Sequence, residues 1–235
     1  MPPTANEAES RADDLLVAGA NRLGISLGVD TLTAFRVYRN DLIRWSRRMN
    51  LTALTTPAQI VQQGLLDSLA CAPLIPRTAG RIIDIGSGAG FPAVPLALVR
   101  PEIGFTLVEP SRKKVTFLRH VIRRLKLRFV RVRPSRVEAL LVETVMLEAF
   151  DVALARAVAP MPKIGRMALP FLRHGGMFLA QTGPAEHVQY AINNLAECGL
   201  EVTEERVVPP EFGKPGRRIL AFRKVSVRQS GQCFT

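Results

Sequence analysis

The sequence predicts an α/β fold: a doubly wound, mostly parallel sheet with an antiparallel edge pair, preceded by an N-terminal helical region. Three observations carry this. The β-branched run Ile82-Ile83-Asp84-Ile85 stops at a glycine-rich turn, as a buried strand feeding a helix does. Beyond it, short apolar runs alternate with segments of helical spacing, the pattern of βαβ units with right-handed crossovers. Before it, apolar residues recur only at helical intervals. Residues 1–75 therefore read as a helical region packed on the core, 76–228 as the core, and 229–235 as a tail.

In chain order, the first ten or so residues read as a frayed terminus. Leu32, Phe35, Tyr38, Leu42, Trp45 and Met49 mark one face of a helix over 31–49, with arginines opposite. A second helix is expected from Pro57 to about Leu69. The strands follow: Ile82–Ile85, Phe105–Val108, Arg128–Val132, Asp151–Ala155 and Gly176–Ala180. Ser111 is placed to cap a helix carrying Val115, Phe117, Leu118, Val121, Ile122 and Leu125. Further helices are expected near 160–172 and 185–198. Glu201–Val208 and Arg217–Val225, with no helical pattern between them, predict the antiparallel edge pair. In such a sheet a ligand sits at the carboxyl ends of the strands.

Composition narrows the partners. Lys and Arg outnumber Asp and Glu by 32 to 20, a formal charge of +12, which favours a polyanionic partner. The longest apolar run, Phe91 to Val99, is too short to span a bilayer and is broken by prolines. The N-terminus is acidic and lacks a secretory pattern. Cys71, Cys198 and Cys233 are odd in number and far apart, which fits neither a disulfide framework nor a zinc site. A reduced, cytoplasmic protein with no metal and no membrane partner is the expectation.

The turn Asp84-Ile85-Gly86-Ser87-Gly88-Ala89-Gly90-Phe91 discriminates among nucleotide ligands. A dinucleotide fingerprint needs a small third residue where Phe91 stands, and a P-loop needs Gly-Lys-Ser/Thr. Gly86, Gly88 and Gly90 at alternate positions, with an acid two residues before the first, suit a ligand with a cationic amino-acid end and a ribose. S-adenosylmethionine is such a ligand. Asp84 is placed to receive its ammonium and Glu109, ending the second strand, its ribose hydroxyls. A tight strand-to-helix turn without ligand is the competing reading.

After the third strand, Val137 is placed to pack on an adenine and Glu138 to bond its exocyclic amine, although an acid in a first helical turn is favourable in any case. Arg156 ends the fourth strand, where a transferred methyl would meet its acceptor; a buried structural arginine is the alternative. Between Arg112 and Arg136 lie eleven Lys or Arg and no acid. Arg112, Lys113, Lys114, Arg119, Arg123 and Arg124 are the candidate RNA contacts, since such clusters give salt-sensitive phosphate affinity. Lys214, Arg217, Arg218, Arg223, Lys224 and Arg228 form a second basic cluster.

Asn50-Leu51-Thr52-Ala53, then Asp67-Ser68-Leu69, the glycine turn through Pro92, Phe117-Leu118-Arg119, Arg136-Val137-Glu138 and Arg156-Ala157 occur in an order that resembles the bacterial small-subunit ribosomal RNA guanine-N7 methyltransferases (glucose-inhibited division protein B, small-subunit methyltransferase G). The resemblance covers about residues 30–225. It implies a class I, Rossmann-like methyltransferase that uses S-adenosylmethionine on 16S ribosomal RNA or the 30S subunit; a monomer is the expectation. It also implies cofactor contacts at Gly86, Phe91, Val137, Glu138 and Arg156, with Arg156 the one candidate for a catalytic, positioning role. Where the family has Arg-His before Asp-Ser-Leu, this chain has Gln63-Gly64. Where the family has Lys-Gly after the fifth strand, it has Thr182-Gly183. These departures define a second reading, an RNA-binding or ribosome-assembly protein with weak or lost catalysis.

Overall fold

The computed structural model describes residues 4–156, 159–183, 188–213 and 215–226. Seven strands form one sheet: β1 (Arg81–Ile85), β2 (Gly104–Val108), β3 (Val130–Arg133), β4 (Phe150–Arg156), β5 (Leu172–Thr182), β6 (Leu200–Val207) and β7 (Arg218–Lys224). Their order is β3-β2-β1-β4-β5-β7-β6. The pairs among β1 to β5 are parallel, whereas β7 runs antiparallel to both β5 and β6. The winding reverses between β1 and β4, so a crevice opens there at the strands' carboxyl ends.

The helices are α1 (Ala5–Arg22), α2 (Val29–Met49), α5 (Ala93–Val99), α6 (Arg112–Arg124), α7 (Met161–Ala168) and α8 (Val188–Ala196), with α3 (Pro57–Gln59) and α4 (Asp67–Leu69) the two ends of one rod. The middle of that rod, Ile60–Leu66, is wound as a π-helix. Strand alternation assigns the two faces of the sheet. Ile82, Leu107, Leu154 and Leu179 pack with Leu16, Phe35, Leu65 and Phe117 of the N-terminal helices and α6. Ile83, Ala153, Phe178 and Leu220 face the other way, onto Ile164 of α7 and Leu195 of α8. The N-terminal helices and the sheet thus share one apolar cluster.

The structure corrects three expectations about elements. The chain start is not frayed from Thr4 onward. Thr4 and Glu7 form a reciprocal capping box, and Glu9 and Asp13 clasp the fully buried Arg39 of α2, Asp13 at 2.9 Å. A purely apolar-periodicity reading misses a helix start fastened by charges. Ser111 occupies the N-cap of α6, but its hydroxyl caps nothing; its own amide donates to Glu109 instead. No full helix follows β3, only the 3₁₀ turns Val137–Leu140 and Thr144–Met146. The expected tail 229–235, Lys214, Arg228 and Ala157 lie outside the described residues.

Candidate active site

The glycine turn hangs from the end of β2: the amides of Gly86 and Ser87 both donate to the Val108 carbonyl, at 2.9 and 3.1 Å. Gly86 (φ 72°) and Gly88 (φ 59°) take left-handed backbone conformations that favour glycine. A Cβ at Gly88 would meet nothing nearer than 3.8 Å, so the backbone there faces open space. Gly90 does different work. At φ 101° its Cβ would fall 2.7 Å from Val94 Cγ2 and 2.9 Å from the Tyr38 hydroxyl. Tyr38 donates to the Ala89 carbonyl at 2.7 Å, and burial pushes its phenol well up, so it stays a donor and ties the turn to α2. Gly90→Ala therefore combines backbone strain with overpacking and is expected to destabilise the fold by roughly 2–4 kcal/mol. Gly88→Ala should cost less stability but more cofactor affinity. Urea unfolding and calorimetry separate the two.

Asp84 lies one residue before the end of β1 and is buried. Neither of its carboxylate oxygens has a partner at good hydrogen-bond geometry. Burial pushes the carboxyl up to about 7, against the pull of the neighbouring Ser87 hydroxyl, the Ala93 amide and the Arg156 guanidinium. Glu109, just past β2, is also buried. Its Oε2 accepts from the Gly88 amide and its Oε1 from the Ser111 amide, both at 2.8 Å. Each oxygen keeps a second lone pair.

Beside the turn is a cleft of about 190 Å³, walled by Ile85, Val108, Val137, Ile164 and Met167, with Gly86, Glu138 and Lys163 among its polar boundary groups. Val137 is buried and Glu138 exposed. Ile164, Met167 and Lys163 of α7 were not foreseen; the sequence indicates a helix there without showing which face meets the cleft.

Arg156, ending β4, points into a buried polar cluster. Its Nη1 lies 3.0 Å from Asp67 Oδ2, and Arg217 Nη2 lies 3.3 Å from the same atom. The Gln181 side-chain amide donates to the Asp67 carbonyl at 2.7 Å. Burial pushes the Asp67 carboxyl up, and the two guanidiniums pull it down. The Arg156 guanidinium also sits 5.2 Å from the centre of the Phe91 ring. Phe91 is itself buried between Tyr38 and the Gly64 backbone. A Cβ at Gly64 would lie 2.7 Å from that ring, so the ring fills the space that a side chain at 64 would need. Asp67, Gln181 and Arg217 join the site only through folding, since they come from a helix end, β5 and the approach to β7.

Arg112, Lys113, Arg119 and Arg123 project from α6 into solvent, and none forms an ion pair among the described residues; Lys114 is half-buried. Arg124 differs. It pairs with the buried Asp41 at 3.1 Å, an acid that also holds Arg44 and, at 2.8 Å, the His120 ring. His174 contacts Ser226 near the start of β5, away from the cleft. Among the described residues no group of three or more His, Cys, Asp or Glu could hold a metal, and no helix is long and apolar enough to cross a membrane.

The residues at the strand ends fit S-adenosylmethionine. Asp84 is an orphaned buried carboxylate suited to an ammonium, Gly86 and Gly88 leave a cradle without side chains, and Glu109 has lone pairs for ribose hydroxyls. Sheet order and cleft together make this a class I S-adenosylmethionine-dependent methyltransferase. Solved structures share the fold: a geranyl diphosphate methyltransferase in complex with GPP and sinefungin (TM-score 0.61, 14% identity, 84% of this chain and 100% of that one) and Aeropyrum pernix fibrillarin with natively bound S-adenosyl-L-methionine (TM-score 0.51, 21% identity, 61% and 66%). The sequence profile described as rRNA small subunit methyltransferase G matches residues 31–215. Proteins named ribosomal RNA small subunit methyltransferase G are 38% identical over 224 residues in Caldanaerobacter subterraneus (94% of each chain) and 42% identical over 191 residues in Roseiflexus castenholzii (80% of this chain, 82% of that one). The chain belongs to the rRNA small subunit methyltransferase G family.

Proposed function

We propose that this chain transfers the methyl group of S-adenosylmethionine to N7 of a guanine in 16S ribosomal RNA of the small subunit. The observation that carries the reading is the strip of buried polar groups at the carboxyl ends of the central strands: Asp84, under the glycine cradle and without a well-aligned hydrogen bond, and, beside it, Arg156 and Arg217 on a single carboxylate. S-adenosylmethionine supplies a methyl group activated by its sulfonium. Asp84 holds the ammonium end, Glu109 the ribose, and Val137 with the cleft beside Glu138 the adenine. Arg156, fixed by Asp67 and the Phe91 ring, positions the acceptor at the strand ends.

Guanine N7 carries an exposed lone pair and gives up no proton, so alignment can supply much of the rate. That suits a site where the described histidines are engaged elsewhere, His120 with Asp41 and His174 with Ser226. The exposed cations of α6 supply phosphate contacts. The test is to incubate the protein with methyl-labelled S-adenosylmethionine and unmodified 30S subunits or naked 16S RNA. Label is expected at one guanine as the N7-methyl base, detected by borohydride–aniline scission. Label on a ribose hydroxyl or another base atom, or none, overturns the reading.

A further inference from the structure

Phe129 lies just before β3, at the end of the sheet opposite the glycine turn, and 59% of it is exposed. It forms a wall of a groove of about 390 Å³ with Leu98, Ile103, Leu125 and Leu127. The border of this apolar slot is cationic. Lys126 and Arg128 line it, Arg131 is exposed two residues after Phe129, and none of the three forms an ion pair among the described residues. Lys126 takes a left-handed conformation (φ 54°) just past Leu125, the C-cap of α6. Asp30 is the one acid on the lining. The 13 residues of α6 span about 20 Å, so its unpaired cations Arg112, Lys113, Arg119 and Arg123 lead from the strand-end cleft to this groove.

We propose that the groove is a second RNA site, where an unpaired base of the ribosomal RNA stacks on Phe129 while Lys126, Arg128 and Arg131 hold the flanking phosphates. The argument is charge and shape. An aromatic face among unpaired cations binds single-stranded nucleic acid through stacking and phosphate contacts together. A protein partner would have to match the unpaired cations of α6 as well as Lys126, Arg128 and Arg131, which the phosphate backbone does without further design. The inference rests on RNA being the substrate and adds where the strand is held beyond the methylated base.

The test compares Phe129→Ala, Phe129→Tyr and the pair Lys126→Gln with Arg128→Gln, measuring affinity for unmodified 16S RNA across a salt series, cofactor affinity and thermal stability. Phe129→Ala should weaken RNA binding about tenfold, the scale of one lost base stack, without changing the salt slope. Phe129→Tyr should bind like the wild type. The double charge variant should lower the slope of log K against log salt by about 1.4. Cofactor affinity should be unchanged in all of them. Ultraviolet cross-linking should join the 126–131 segment to an RNA base.

The proposal is overturned if folded Phe129→Ala binds RNA like the wild type. It is equally overturned if the segment cross-links to a ribosomal protein, or if Phe129→Ala dissociates a dimer of this chain. If Phe129 proves neutral while N7 methylation stands, the groove alone is refuted; if no methyl reaches RNA, the functional reading fails by its own assay.

Discussion

Asp84→Asn is expected to weaken S-adenosylmethionine binding by at least tenfold and to remove its pH dependence. A carboxylate buried without a well-aligned hydrogen bond is costly to keep charged, and burial accordingly pushes Asp84 up to about 7 against the weaker pull of Ser87, Ala93 and Arg156. An ammonium placed against it favours the ionised form. Below pH 7 the free protein must therefore release a proton to bind, and affinity should fall by about tenfold per pH unit down from 7 and level off above it. Asparagine abolishes both the charge and the slope. The stability of the free protein carries the opposite sign. A carboxyl raised in the folded state binds more protons than in the unfolded chain. Its contribution is fully present below the ordinary carboxylate value of 3.8 and is lost as pH rises through about 7. At pH 8, without cofactor, Asp84→Asn should melt above the wild type. Calorimetry from pH 5.5 to 8 and parallel thermal melts check both; wild-type affinity that ignores pH over that range would refute the role given to Asp84.

This prediction was half legible in the sequence. The β-branched run, the glycine spacing and the acids at 84 and 109 locate the cradle, because backbone conformation and strand ends are encoded locally. The same local signals give the alternation of strands and helices, and right-handed crossovers limit how five parallel strands wind, but the order of the strands is read from the structure. What the sequence hides is direction in space. Gly90 looks like a third cradle residue, yet its Cα faces Val94 and Tyr38. The ring of Phe91, an expected cofactor contact, is buried against Gly64, which gives Gly64 a packing reason to stand where the family has histidine. Arg124 looks like one more exposed cation, yet it shares Asp41 with His120 and Arg44. The start of α1 was read as frayed because Thr4, Glu7, Glu9 and Asp13 act through capping and ion pairs, which hydrophobic periodicity does not register; the later Ala12, Leu16 and Ala20 do keep helical spacing.

Asp67→Ala is expected to be the most destabilising change in the site. It removes the one carboxylate shared by Arg156 and Arg217, both mostly buried, and leaves two guanidiniums facing each other without an anion. Breaking a buried ion pair by deleting one partner costs about 3–5 kcal/mol, which for a chain of this size lowers the melting temperature by roughly 10 °C. Arg217→Met should cost much less, because Asp67 and Arg156 then remain as a balanced pair. In the double variant, removing Arg217 relieves part of the like-charge repulsion, so its destabilisation should be smaller than the sum of the single effects, a coupling that a double-mutant cycle measures directly. If Asp67→Ala were no less stable than Arg217→Met, the carboxylate could not be what holds the cluster. Activity should follow a different order from stability. Arg156 loses its tether in Asp67→Ala but keeps it in Arg217→Met, so methyl transfer should fall steeply in the first and only modestly in the second, even when both are assayed well below their melting temperatures. The cluster joins the end of the π-helical rod to the ends of β4 and β5 and the start of β7, and through it the N-terminal helices fix the position of the arginine at the acceptor side.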